Sequence, residues 1–509
     1  MKKIFLIAFS AFAALFASCN MDKLPYDSID ESIGIQSMSD ADQLRVSIYL
    51  PTKGMFGGGR WDVEEMRGGM FNAMADFGNY YGLFYAWIMQ TNDTDAESLW
   101  YSDYSIIASM NYAIGAYEKL LAKEGDEAFD DDDKATLNLY IAEAYMTRVM
   151  AYWDLVTKYC VAYDPATASQ TMGLPLQTVY NPTSDSSKYP GRSSLEETYN
   201  LLLEDLEKAS AITTVGAANS KYWTIDAVNA MRARVLLNMK RYEEAADAAL
   251  SVINSNKYQL ASGAAGLESL WSKDVSSELI FVTACNLNDP PASTGSYYIY
   301  DNATGDGSTP DPQYIPSATL IGLYNAEKDY RYPLYFETHE VTVEGAGTNE
   351  LELFYKFKGN PDLRTSAKLN YRNAGKPFRL AEMYLVMAEA YAQLGNVANA
   401  QKWLNDLRAT RIEGGDPLVL SANNALGAVK EEWSREFVGE GFRMINMKRW
   451  AEKVIRGKSQ NSSMTKSGAD YDELSKEITD SRCVWPIPKA EIDSNPQIKN
   501  QQNEGYAVQ

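Results

Sequence analysis

A single histidine, His339, stands among 509 residues, and only four cysteines accompany it. An imidazole-based triad has one place to form, and metal sites assembled from His and Cys pairs have almost no material. Beyond Cys19 the cysteines are Cys160, Cys285 and Cys483, too sparse for a disulfide scaffold. G-x-S-x-G elbows, Walker loops and G-x-G-x-x-G fingerprints are all missing; the glycines of GGGRW at 57–61 lack that spacing. Basic residues are also short, 47 Lys and Arg against 68 Asp and Glu, for a net charge of -21. Nucleic acid and anionic lipid are repelled by such a surface, so neutral ligands are the natural partners. Aromatics, in contrast, make up 12% of the chain, led by 34 Tyr and 10 Trp. Their flat apolar faces and polar edges suit a wet binding surface or the packing of long loops.

The N-terminus reads MKKIFLIAFSAFAALFASCN: Lys2 and Lys3, an apolar run from Ile4 to Ala17, then Ser18 and Cys19. That is the order of an export signal, and the run is shorter than the roughly 20 residues a helical span needs. Its ending, A-L-F-A-S-C, resembles the lipobox of bacterial lipoproteins, in which cleavage leaves a lipidated cysteine as the first mature residue. Residues 1–18 are therefore expected to be a lipoprotein signal peptide, Cys19 the lipidation site and 19–39 a tether. Each buried acyl methylene contributes about 0.8 kcal/mol, and stable attachment takes more than one chain. Asn20 follows the cysteine where inner-membrane lipoproteins typically carry aspartate, which by resemblance favours the outer membrane.

After a short helix near 40–49, helical periodicity dominates. Trp100, Tyr104, Ile107, Asn111, Ile114 and Tyr117 recur at three- and four-residue spacing within 98–123, and Leu139, Ala142, Met146, Val149, Trp153 and Val156 do so within 135–158. Asp130 to Asp133 precede the second of these helices, where acidic side chains are stabilised by exposed amides. Ser194 with Glu197 forms a capping-box signature for 194–209. Segments 224–258 and 378–411 each read as two helices joined by a tight turn, with alanines at the crossing, as tetratricopeptide repeats require. The expected fold is all-α: a tetratricopeptide-repeat-like helical hairpin scaffold, with hairpins near 98–158, 194–256 and 378–411. Between the hairpins, residues 257–376 turn rich in Gly, Pro, Asn and Tyr, with minor β structure such as Leu351–Phe357. Structureless stretches of this length are uncommon unless functional or disordered, and the aromatics favour function.

Glu432, Arg435, Glu436, Glu440 and Arg443 read as the charged side of one helix at 431–450, opposite Trp433, Phe437, Phe442, Ile445 and Trp450. Charges at that spacing can pair within the helix or with neighbours, although exposed pairs contribute only about 0.2–0.5 kcal/mol each; their expected role is structural. Pro486, Pro488 and Pro496 suit a terminal segment lying extended across helices without adding another. Calcium has two weak oxygen-rich candidates, 91–97 and 301–311, neither with the closing Glu of an EF-hand; solvated turns are the plainer reading. A pair of glycosidase carboxylates needs only proximity in space, which abundant Asp and Glu would supply by coincidence.

Three ordered segments, PFRLAEMYLVMAEAYAQLGNVANAQKWLNDLRATR (377–411), EEWSREFVGEGFRMINMKRW (431–450) and VWPIPKAEIDSNPQIKNQQNEGY (484–506), resemble the SusD/RagB family of Bacteroidetes surface lipoproteins. Supporting matches fall at 191–209, 223–245 and 99–111, so the resemblance runs from Cys19 to Tyr506. It implies one SusD-like domain over 40–509, a loop-rich ligand-binding insert at 257–376, and a binding protein with no catalytic residue and no cofactor. It implies capture of a glycan, outside the cell at the outer membrane, for delivery to a SusC-like TonB-dependent transporter. An alternative is a peptide-binding or protein-interaction lipoprotein of an analogous uptake complex.

Sugar rings stack their C–H faces on aromatic planes while their hydroxyls seek polar partners at the edge. The first candidate set is Trp61, Tyr80, Tyr81 and Tyr85, with Asp76 and Asn79, from the glycine- and aromatic-rich run 57–87. The second is Tyr297, Tyr298, Tyr300, Asn302 and Tyr314 from the insert, with Arg364 as a bidentate polar contact. Packing of these rings against the helices is the competing reading.

Overall fold

In a computed structural model the chain is described at residues 34–125, 128–299, 310–468, 471 and 474–506. The signal segment 1–18, Cys19, the tether as far as residue 33, Tyr300, Asn302 and, of the calcium candidate at 301–311, residues 301–309 lie outside the described residues.

Helix α1 (Met38–Tyr49) opens with a capping box in which Ser37 and Asp40 satisfy each other's amides, and α2 spans Gly59–Arg67. Asp93 starts α3 (Thr94–Leu121): its carboxylate accepts from the amides of Asp95 and Ala96, so the acidic run at 91–97 begins a helix. Asp130 does the same for α4 (Asp131–Tyr159) through the Asp133 amide. The capping box of Ser194 and Glu197 forms at α5 (Leu195–Ala209). Then follow α6 (Ile225–Asn238), α7 (Tyr242–Asn254), α8 (Leu380–Gln393), α9 (Val397–Arg411), α10 (Ala425–Glu436) and α11 (Arg443–Trp450). Each of α3 to α9 packs on its chain neighbours, α7 reaching α8 although residues 255–379 lie between them.

This packing corrects the expected tetratricopeptide-repeat-like scaffold. The chain is predominantly α-helical, yet α3 and α4 run for 28 and 29 residues while α6 and α7 run for 14 and 13. A solenoid stacks because each unit offers the next the same surface, which pairs of unequal length cannot do. Helix α5, moreover, is a single 15-residue helix that joins the long α4 to the short α6, so the chain does not run as a succession of like pairs there. Small residues such as Ala227 and Ala230 report that two helices approach closely and carry no information on whether the pair recurs.

The β structure is limited, among the described residues, to small two-stranded antiparallel sheets, none closed into a barrel. Six strands matter here: β1 (Phe71–Ala73), β2 (Leu279–Phe281), β3 (Tyr314–Pro316), β4 (Phe336–Val343), β5 (Gly347–Phe354) and β6 (Phe378–Arg379). Strand β1 pairs with β3, β4 with β5 as a hairpin, and β2 with β6 at the foot of α8.

The single helix expected at 431–450 is two. Helix α10 stops at Glu436 and α11 begins at Arg443, with Gly439 and Gly441 between them at φ +81° and +78°. A Cβ on Gly439 would lie 2.6 Å from the Phe357 ring, so the turn depends on glycine there. Of its charges, Glu432, Arg435, Glu436 and Glu440 are buried, which exposed pairs within one helix would not be. Arg331 of the insert donates to Asp329 (2.8 Å), Glu432 (2.7 Å) and Glu436 (3.0 Å). Arg379 donates to Glu278, Glu436 and Glu440 at 2.6, 2.9 and 2.8 Å, and Arg411 to Glu278 and Glu436 at 2.8 and 2.9 Å. Lys356 closes the network on Glu440 at 2.7 Å. Its members come from the insert, from β6, from α9 and from α10, so this network fastens the insert to the helices.

The C-terminal segment crosses the helices as expected, the Trp485 amide donating to the Lys158 carbonyl (2.9 Å) and the Asn503 side chain to the Tyr159 carbonyl (2.8 Å). It does add one short helix, Lys489–Ser494.

Candidate functional site

Pairing of β1 with β3 sets Asn72 opposite Ile315 and Ala73 opposite Tyr314. The two candidate sets, more than two hundred residues apart in sequence, are thereby joined at one edge. Tyr80 and Tyr297 approach with ring centroids 5.0 Å apart at 36°, and Tyr81 meets Tyr297 edge to face at 5.5 Å. Tyr80 is 45% exposed, Tyr81 and Tyr297 are half-buried, and Asp76 and Asn79 are exposed on the same loop. The result is a three-ring platform at the surface, edged by hydrogen-bonding side chains.

The platform is held from below. Asp62 of α2 accepts from the Gly295 amide at 3.1 Å, which fixes the approach to Tyr297. Gln313 accepts from the Gly78 amide, and the Tyr314 hydroxyl donates to the Tyr80 carbonyl. Asn79 and Tyr81 sit at φ +57° and +52°. Asn tolerates this region; a tyrosine there is strained by about 1–3 kcal/mol and persists because its surroundings over-determine it. Glycine at position 59 is required by Tyr81 as well, since a Cβ would collide with its hydroxyl. Burial pushes the Tyr81 and Tyr297 hydroxyls above their ordinary value, so both stay protonated donors at neutral pH.

Tyr85, Tyr298 and Tyr314 are corrected to core residues, exposed by 1%, 0% and 0%. Tyr298 stacks on Phe71 at 4.5 Å, Tyr314 packs on Phe77 at 5.7 Å, and the Arg456 guanidinium lies 3.6 Å from the centre of the Tyr85 ring. They support the platform and offer no face to a ligand. Trp61 lines, with Phe442 and Arg234, a cavity of about 60 Å³ to which none of the three rings contributes. Such a space holds a few waters and no sugar ring. Arg364 lines a separate hollow with His339 and Tyr355. Sequence reasoning missed Asp62 and Gln313. Asp62 sits in the run 57–87, read for its glycines and aromatics, and nothing in its spacing signals a buried helix there.

Asp62 also makes the platform's footing sensitive to pH. Burial pushes its carboxyl up to about 7, against the pull of the Gly295 amide. The folded chain therefore binds this proton more tightly than the unfolded one. The resulting stability is complete below the ordinary value of 3.8 and is lost as pH rises through about 7. The thermal midpoint is expected to fall between pH 5 and pH 8 by less in Asp62→Asn than in wild type. Equal falls in the two proteins would refute this role.

Among the described residues no group of His, Cys, Asp and Glu is arranged to hold a metal ion, and no helix is long and apolar enough to cross a membrane. The fold is that of the SusD superfamily. A SusD superfamily protein from Bacteroides thetaiotaomicron matches with a TM-score of 0.75 at 26% identity, over 92% of this chain and 99% of that one. One from Bacteroides vulgatus matches at 0.76 and 21% identity, over 93% and 100%. A SusD-like protein of Formosa agariphila is 25% identical over 408 residues, which are 71% of this chain and 73% of that protein. The model described as SusD family matches residues 313–506, and one described as starch-binding associating with outer membrane matches 21–237. This chain belongs to the SusD/RagB family. At the level of the family, that means carbohydrate-binding surface proteins that partner SusC-like TonB-dependent transporters.

Proposed function

We propose that this chain is a lipid-anchored glycan-binding protein on the outer face of the outer membrane, which captures a neutral oligosaccharide and passes it to a SusC-like TonB-dependent transporter. Residues 40–509 act as one domain, with 257–376 as the ligand-binding insert and Cys19 as the anchor. The observation that carries the reading is the platform of Tyr80, Tyr81 and Tyr297, three rings from two distant segments presented together at the surface. A chain of sugars offers such a platform its C–H faces, and Asp76 and Asn79 lie within the same loop to meet hydroxyls. The net charge of -21 favours a neutral chain over a polyanion.

The test is a glycan-array and gel-retardation screen of soluble protein beginning after Cys19, with neutral polysaccharides set against a peptide library. Retention by at least one neutral glycan, with its chain length unchanged on incubation, is expected. Binding confined to peptides would overturn the reading, and shortening of the glycan would make the chain a hydrolase.

A further inference from the structure

We infer that the hollow between the β4–β5 hairpin and the 355–369 loop is a second binding subsite, specific for a sugar acid. It has a volume of about 550 Å³, within the range of about 300–1,000 Å³ usual for small-molecule sites. Its lining includes His339, Tyr355, Lys358, Arg364, Glu337 and Glu268, and it shares no lining residue with the tyrosine platform.

The charges in this hollow are unevenly satisfied. Glu337 accepts from Lys358 at 3.0 Å and contacts the His339 ring at 3.4 Å, so one carboxylate already answers two basic groups. The Arg364 guanidinium, in contrast, has no acceptor among the described residues, and its Nη1 is buried without a hydrogen bond. A buried, unpaired donor of a cation is costly to leave unmade, and a carboxylate is the group whose geometry matches the guanidinium fork. Exposed Glu268 remains as an acceptor for hydroxyls. His339 and Tyr355 lie parallel, 5.1 Å apart at 8°, and form a flat wall on the same hollow. One carboxylate, several hydroxyl donors and a compact ring are together what a uronic acid residue supplies. The strongly acidic surface repels a polyuronate, so the site suits an isolated acidic sugar on an otherwise neutral chain.

This inference rests on the glycan reading, and its test separates the two. The probes are sodium D-glucuronate and sodium D-galacturonate, with glucose and sodium acetate as controls, titrated calorimetrically into the full soluble chain. At least one uronate is expected to bind more tightly than either control. Arg364→Gln is expected to weaken that binding about tenfold or more, Arg364→Lys to restore it only in part, and Tyr297→Ala to leave it unchanged. Since Arg364 makes no side-chain hydrogen bond to the described residues, its replacement leaves folding intact, which an unchanged melting curve checks. Absence of uronate binding, acetate binding as tight as uronate, or uronate binding indifferent to Arg364→Gln would each overturn the subsite. Failure of the platform reading would instead appear as neutral-glycan binding that Tyr297→Ala does not change.

Discussion

Glu436→Ala is expected to destabilise the folded chain by about 3–5 kcal/mol, the cost of removing one partner from a buried ionic network. Three guanidiniums, from Arg331, Arg379 and Arg411, converge on this one carboxylate at 2.9–3.0 Å. All four side chains are excluded from water. Without Glu436, positive charges would face one another in the core with Asp329, Glu278, Glu432 and Glu440 left to neutralise them. The measurement is the midpoint of urea denaturation, and a loss under about 1 kcal/mol would mean that the neighbouring carboxylates compensate. The same network sets an acid limit. Burial works to raise the Glu432 carboxyl, but Arg331, Arg435 and Arg408 outweigh it and hold the group at about 2. Arg411 and Arg379 likewise hold Glu436 well below 4.5 despite burial. Stability from these two groups is therefore complete above pH 4.5 and is lost as pH falls toward 2. A flat stability profile across that window would contradict the assignment.

Tyr297→Ala is expected to weaken neutral-glycan binding by about 2 kcal/mol, near thirtyfold, as central aromatics do at interfaces. Tyr297 is the ring shared by both contacts of the platform, touching Tyr80 at 5.0 Å and Tyr81 at 5.5 Å. Its loss removes one stacking face and frees the other two. Trp61→Phe, which changes a ring on the internal cavity, is the matched control and is expected to leave affinity unaltered. Isothermal titration with the best glycan from the screen measures both. Unchanged affinity in Tyr297→Ala would displace the site from this platform.

Two helix starts were legible because their chemistry is local: the acidic run Asp130 to Asp133 and the capping box of Ser194 with Glu197 are each decided within four residues, whereas the cap of Ser37 with Asp40 was not read. The tyrosine-rich loops were legible as a class, from composition alone. Their division into surface and core was not. Tyr297 and Tyr298 are neighbours in a single helical turn, Ser296–Ile299, too short for a period to assign a face, yet one is half-buried beside Tyr80 and the other is sealed against Phe71. The depth of the charged helix was illegible for a related reason. An i, i+4 pattern of Glu and Arg describes a solvated face equally well as one covered by arginines arriving from elsewhere in the chain, as Arg331 and Arg379 do.

By itself the sequence determined the helical class, the capped start at Ser194, the acidic balance and the family, because each depends on residues near one another or on composition. Tertiary structure alone decided that helix pairs do not repeat, that Glu432, Arg435, Glu436 and Glu440 are buried, and which rings form the platform. Those outcomes turn on contacts between segments hundreds of residues apart, such as β1 with β3, and local spacing carries no record of what a distant segment will cover.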